Sequence, residues 1–135
     1  MNTNKYNEIV IVSPSRTPLG GLQGSLSSLS ATELGSIVVE GILQNTGLAV
    51  EKVEELLFGC VLPAGLGQSP ARQVALRAGL PNSVATATVN KVCGSGMKTV
   101  MMAYDQIKAG SNAAIIAGGM ESMSNAPFIL KNIRN

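Results

Sequence analysis

The stretch ATATVNKVCGSGMKTVMMAYDQIKAGSNAAIIAGG, residues 85–119, decides the fold class. Its first part, ATATVNKV (85–92), alternates small residues with threonine and valine, a pattern that suits a strand. Glycines follow at 94 and 96. Residues 95–109 then have the composition of a helix, closed by Gly110. AAIIAGG (113–119) reads as another strand. A strand, a helix and a strand in so short a span form a βαβ unit, whose two strands lie parallel with a right-handed crossover.

The alternation extends upstream. EIVIVS (8–13), closed by Pro14 and Pro18, reads as a short buried strand, and GGLQGSLSSLS (20–30) as a loop. Ser30 and Glu33 form the S-x-x-E pattern of a capping box. They open a predicted helix that Gly47 ends, with Leu34, Ile37, Val38, Gly41 and Ile42 on one face. VEELLFGCVLP (53–63) holds a strand near residues 55–62, and AGLGQ (64–68) is a loop. Ser69 before Pro70 predicts an N-cap with proline at the first position of a helix that runs to Gly79. The order β-α-β-α-β-α-β implies an α/β layered fold with at least part of its sheet parallel.

One element is too apolar for so small a fold. In the helix over 95–109, Met97, Val100, Met101, Met102, Ala103, Tyr104 and Ile107 cover most of the circumference. A helix apolar nearly all round is buried on nearly all sides. One sheet cannot bury it, so a second layer from outside this chain is expected.

The chain of 135 residues fits one domain. Hydrophobic residues make up 45% and charged residues 13%, the latter well under the roughly 25% of an average soluble domain. Much of the surface should therefore be covered by protein. The net charge of +2, spread along the chain, and the 3% of aromatic residues argue against nucleic acid, which needs clustered cations or stacking platforms. The two cysteines, Cys60 and Cys93, come with no CxxC and no histidine, so no metal site is expected. MNTNKYNEIV shows no cleavage signal, and no apolar run nears the ~18 residues of a membrane span. These features point to a cytoplasmic protein with two free thiols.

Cys60 lies inside an apolar strand, where cysteine acts as a small hydrophobe. Cys93 sits at the start of a helix, where unpaired N–H groups and the helix dipole favour negative charge. A thiol so placed can ionise well below its ordinary ~8.5. Gly94 and Gly96 leave room for a substrate, and the nearby N–H groups, that of Cys93 included, could receive an oxyanion. Nucleophile and structural thiol both stay open on this ground. Phosphate readings of the same glycines fare worse. In G-S-G-M-K-T (94–99) the third glycine of a dinucleotide fingerprint is Thr99, and the nearest downstream acid, Glu121, lies beyond the next strand. A Walker loop needs adjacent Gly-Lys, and Met97 intervenes. A G-x-S-x-G elbow fails because Ser95 is flanked directly by Gly94 and Gly96. Arg72 and Arg77 read as a solvated face. The methionines at 97, 101 and 102 read as core, and Met120 and Met123 as packing at an interface or a pocket rim.

NKVCGSGMKTVMMAYDQIKAG (90–110) followed by AGGMESMSNAP (117–127) closely resembles the amino-terminal region of thiolases. SPSRTPLGG (13–21) and VLPAGLGQSPARQVALRAGLP (61–81) resemble the family's upstream segments, in the expected order. Within the family, the cysteine and MESMSN segments look more like the acetoacetyl-CoA branch (acetyl-CoA C-acetyltransferases) than the long-chain one. The resemblance implies a thiolase-like layered fold. Residues 1–119 would form the amino-terminal α/β domain, and 120–135 would begin the following loop region. A further sheet strand would come from beyond that region, so that this chain supplies four of five.

The resemblance also implies the chemistry. Cys93 would be the acyl-thioester nucleophile that takes an acetyl group from acetyl-CoA, with coenzyme A as a substrate and no tightly bound cofactor. A second acetyl-CoA, as a carbanion, would then attack to give acetoacetyl-CoA. The family's catalytic histidine (in Gly-His-Pro), second cysteine and asparagine lie in the carboxy-terminal half. This accounts for a nucleophile without a histidine, and Cys60 matches none of these groups. The implied partners are acyl-CoA and, in the complete protein, further copies in a homodimer or homotetramer. Two other readings stand beside this one. One is a condensing enzyme of the ketoacyl-synthase kind, against which GGMESMS argues. The other is a non-catalytic assembly module.

Overall fold

The computed structural model describes residues 8–132; residues 1–7, part of the polar start, and 133–135 lie outside it. Three helices and three strands alternate along it: α1 (Ala31–Thr46), β1 (Glu55–Gly59), α2 (Pro70–Arg77), β2 (Ala85–Val89), α3 (Ser95–Lys108) and β3 (Ile115–Gly119). The sheet is parallel, in the order β2-β1-β3, with Leu57 of β1 facing Ala87 on one side and Ala117 on the other. β1 is therefore covered on both edges and both faces, and Leu56, Leu57 and Phe58 are all buried. That explains why ELLF reads as an unbroken apolar run rather than an alternation.

Successive side chains of β1 serve opposite layers. Leu56, Phe58 and Cys60 join the main core with Ala31 and Val39 of α1 and Ala71, Val74 and Ala75 of α2. α3 packs over the other face, against β1 and β3, through its small residues Ser95, Thr99 and Ala103. The crossover from β1 to β2 moves one way across the sheet, and that from β2 to β3 moves back past β1. The helix changes face when the direction reverses, as crossovers of one hand require. Such a reversal makes the carboxyl ends of the strands the natural place for a site.

The capping box at α1 forms as the sequence implies. Ser30 Oγ accepts the Glu33 N–H at 3.3 Å, and the Ser30 N–H donates to Glu33 Oε2 at 2.8 Å. The Ser30 hydroxyl also donates to that carboxylate, which is the first cause holding Glu33 below its ordinary 4.5. Ser30→Ala should lower stability by about 1 kcal/mol at neutral pH. Because the folded Glu33 ionises below its unfolded value, the part of the cap that its carboxylate supplies is present above pH 4.5 and is lost as pH falls through the lowered value, while the Glu33 N–H bond to Ser30 Oγ remains. Thermal melts at pH 7 and pH 3 check it: the gap between wild type and variant should narrow at the lower pH.

Four expectations need correction. EIVIVS (8–13) forms no strand, and Val10, Ile11 and Val12 are 66%, 80% and 77% exposed. The sheet thus has three strands among the described residues, not four. The reason is spatial. An open groove of about 770 Å³ separates residues 8–13 from 113–117 at the outer edge of β3, lined also by Ile42 of α1 and by Val100, Tyr104 and Ile107 of α3. An apolar run without a ladder to join stays irregular. Second, α1 buries Ala31, Thr32, Gly35, Ser36 and Val39, while Ile37 is 47% exposed. Small residues win this face because α1 lies close on α2: a Cβ at Gly35 would stand 2.8 Å from Val74. Third, Ser69 caps α2 with its backbone position but not its side chain. The Ala71 N–H donates instead to Thr88 Oγ1 of β2, at 3.0 Å. Fourth, the methionines read as core are not covered within the described residues: Met97 is 74% exposed and Met101 53%. The apolar circumference of α3 without a cover is what the expectation of an outside layer requires.

Candidate active site

Cys93 stands between the end of β2 and the start of α3, one residue before the N-cap Gly94, and is exposed. The turn that presents it is built from its neighbours. Asn90 Oδ1 accepts the Val92 N–H at 3.0 Å. Ser95 Oγ accepts the Lys91 N–H at 2.8 Å and donates to the Val92 carbonyl at 2.6 Å. The Gly94 and Ser95 N–H groups close back on the carbonyls of Lys91 and Val92. Val92 is thereby held at φ 47°, a left-handed backbone that a β-branched residue adopts only when its surroundings impose it. Among the described residues the N–H groups of Cys93, Gly96 and Met97 find no acceptor. These are the open donors of a helix start, beside a thiol.

The first turn of α3 rests directly on the strand ends. A Cβ added to Gly59, the last residue of β1, would lie 2.6 Å from the Ser95 carbonyl carbon and 2.7 Å from the Gly96 nitrogen. Gly119 ends β3 at the same level, where its own Cβ would meet Gly96 Cα at 3.3 Å. Thr99, fully buried, fixes the next turn with its hydroxyl 2.8 Å from the Gly118 carbonyl and 2.7 Å from that of Gly96. The glycines read from sequence as giving access are 94 and 96. The structure puts the sharper demand on Gly59, since a Cβ at Gly94 would meet only the Lys91 carbonyl, at 3.5 Å.

Cys60 lies just past β1 and is 1% exposed. Its thiol donates to Glu121 Oε1 at 3.7 Å. Burial, and after it the Glu121 carboxylate, push the thiol up to about 11. It is an inert core thiol, as its sequence setting implied. Iodoacetamide at pH 7 should therefore modify Cys93 and spare Cys60 until the chain unfolds. Peptide mapping of both thiols with and without denaturant measures this; equal labelling of the two in the native chain would contradict it.

Glu121, set aside in the dinucleotide reading, has a structural task instead. Its Oε2 accepts the Val61 N–H at 2.8 Å and its Oε1 the Leu62 N–H at 3.1 Å. The segment after β3 then returns to the 23–29 loop, where Ser122 Oγ donates to the Leu29 carbonyl and Asn125 Nδ2 to those of Ser27 and Leu29. Met120 is buried while Met123 is 66% exposed. Arg77 meets Glu33 at 3.7 Å and Arg72 reaches the Asn82 carbonyl, the solvated basic face expected. Among the described residues no group of three or more His, Cys, Asp or Glu side chains gathers to hold a metal.

The family profile described as thiolase, N-terminal domain, matches residues 9–135. The chain belongs to the thiolase family. This thiolase chain is 52% identical over its full 135 residues to an acetyl-CoA acetyltransferase of Allochromatium vinosum, covering 33% of that protein. It is 52% identical over 124 residues to a mitochondrial acetyl-CoA acetyltransferase of Danio rerio, matching 92% of this chain and 30% of the relative. A cytosolic acetyl-CoA acetyltransferase of Gibberella zeae is 50% identical over 127 residues, 94% of this chain and 32% of the relative. The chain thus spans about a third of the length of the curated relatives it matches. The strand–glycine–helix segment around Cys93 and the GGMESMS segment meet at one end of this thiolase sheet, around the glycines at 59, 96 and 119.

Proposed function

We propose that this chain carries the acyl-accepting cysteine of an acetyl-CoA acetyltransferase. The observation that carries the reading is the setting of Cys93: exposed, at a helix start with unpaired N–H groups, in a chain about half identical to proteins of that name. The Cys93 thiolate adds to the carbonyl carbon of acetyl-CoA, and the C–S bond to coenzyme A breaks, leaving an acetyl-cysteine and free CoA. A second acetyl-CoA gives up an α-proton, and its carbanion attacks the acetyl-cysteine. Acetoacetyl-CoA forms and the Cys93 thiolate leaves. The Cys93 N–H, without an acceptor among the described residues, would donate to the oxyanion of either step. Both substrates are acyl-CoA molecules, and no tightly bound cofactor enters the sequence of steps. The proton acceptor is read as coming from outside these residues, where the resemblance to thiolases puts the family's histidine and second cysteine; the 135 residues contain no histidine.

Residues 1–119 are read as the amino-terminal α/β domain, and 120–135 as the start of the following region. The groove beside β3 is the place for the further strand that completes the sheet, and the bare face of α3 is where the second half packs. Copies of the complete protein would pair as a homodimer or homotetramer. A cytoplasmic location agrees with the cytosolic relative but not with the mitochondrial one. No helix described here is long and apolar enough to cross a membrane.

The test is an acetoacetyl-CoA assay in both directions, on the complete protein and on the 135-residue chain. Turnover is expected only from the complete protein. Carbon dioxide release from a malonyl thioester would favour the ketoacyl-synthase reading instead. Inactivity of both, with the chain co-purifying with a longer thiolase, would favour the assembly module.

A further inference from the structure

We infer that Asn90 and Glu121 are positioning residues for Cys93, linked through the turn at Val61 and Leu62. Asn90 spans two segments. Its Oδ1 holds the Val92 N–H, and its Nδ2 donates to the Val61 carbonyl at 3.2 Å. Val61 is itself fixed from its other side, because its N–H and that of Leu62 point at the two oxygens of Glu121. The path from the Glu121 carboxylate to Cys93 therefore runs through hydrogen bonds and one peptide unit at each step: Glu121, Val61, Asn90, Val92, Cys93. The members are far apart in sequence and meet only where β1, β2 and β3 end together.

The link has a specific task, because Val92 precedes Cys93 directly and stands at φ 47°. A valine does not keep that backbone unaided. Ser95 secures the carbonyl side of Val92, while Asn90 is the side chain that secures its N–H. If Asn90 lets go, Val92 can return to an ordinary extended or helical backbone, and the direction of the Cys93 side chain changes with it. The inference rests on Cys93 being the acyl-accepting nucleophile, but the backbone argument is independent of the substrate.

The test is a double-mutant cycle in the complete protein. Asn90→Ala should lower kcat by about tenfold or more while leaving KM little changed, since misdirection affects the reacting atom rather than acyl-CoA binding. Asn90 is exposed, so the melting temperature should barely move. In a Val92→Gly background the same Asn90→Ala change should cost less than about threefold, because glycine adopts φ near +50° without help. Asn90→Asp, which keeps the acceptor for Val92 but not the donor to Val61, should fall between. Glu121→Gln leaves one of the two N–H groups unaccepted and should act in the same direction as Asn90→Ala.

Iodoacetamide alkylation of Cys93, followed by peptide mapping in the same variants, separates the two claims. Its rate should depart from wild type in Asn90→Ala and not respond to that change in the Val92→Gly background. If wild-type Cys93 takes no acetyl group, the proposed function fails, and the alkylation cycle alone decides the positioning claim. An Asn90→Ala variant with unchanged kcat and alkylation rate overturns it. So does a loss just as large in the Val92→Gly background.

Discussion

Cys93→Ser in the complete protein is expected to lower acetoacetyl-CoA formation and thiolysis by at least about 10³-fold, or roughly 4 kcal/mol of transition-state stabilisation. The change replaces one atom. The serine hydroxyl is far weaker as a nucleophile at neutral pH than a thiol, of which a fraction is ionised. It would also have to leave as an alkoxide in the second step, where the cysteine leaves as a thiolate. The fold should not register the exchange, because Cys93 is exposed and its side chain makes no hydrogen bond among the described residues. The two variables thus separate: activity collapses while the melting temperature stays put. Retained turnover in the serine variant would remove Cys93 from the reaction.

Gly59→Ala carries the second large effect, and it strikes fold and site together. The new methyl would lie 2.6 Å from the Ser95 carbonyl carbon and 2.7 Å from both the Gly96 nitrogen and Ser95 Cβ. Two of these three are backbone atoms in the first turn of α3, so no rotamer change relieves the overlap. Either β1 shifts within a core where its neighbours are fully buried, or α3 lifts from the sheet. Overpacking of this kind costs about 1–3 kcal/mol or more, enough to lower the melting temperature by several degrees in a chain of this size. If α3 lifts, Cys93 and its N–H groups move with it, and kcat should fall as well. Gly94→Ala is the contrast. It meets one carbonyl at 3.5 Å and sits at a negative φ, so its melting temperature should stay close to wild type. Equal melts for the two variants would refute the packing argument.

The parts of this fold legible in the sequence are those that local chemistry determines. The capping box at Ser30 and the left-handed Gly47 bound α1 where the pattern put them. β1, β2, α3 and β3 fall inside the predicted segments because their neighbours along the chain already specify the turns. EIVIVS misled because a β-branched run reports a preference for pairing, not the presence of a partner. The edge of β3 lies across a groove from it. The buried face of α1 misled because a close helix pair selects Ala31, Gly35 and Val39 over the larger Leu34 and Ile37, and that closeness is a property of α2.

The site divides the same way. The place of Cys93, exposed between β2 and α3, was legible because strand, glycine and helix follow one another within a few residues. Ser95 reads from the sequence only as a failed nucleophile elbow, whereas the habit of serine of bonding nearby backbone groups accounts for the staple it makes with Lys91 and Val92. The Glu121–Val61–Asn90 link was not legible at all. Its contacts join three strand ends, and no periodicity in a single sequence encodes which ends meet.

The most direct measurement is the fate of the acetyl group. The complete protein is mixed with acetyl-CoA, quenched in acid and digested, and the peptides bearing Cys93 and Cys60 are weighed. One acetyl group is expected on the Cys93 peptide and none on the Cys60 peptide, and coenzyme A added before the quench should remove it. An enzyme that turns over acetyl-CoA while Cys93 stays unmodified, or that carries its acetyl group on another residue, would contradict it.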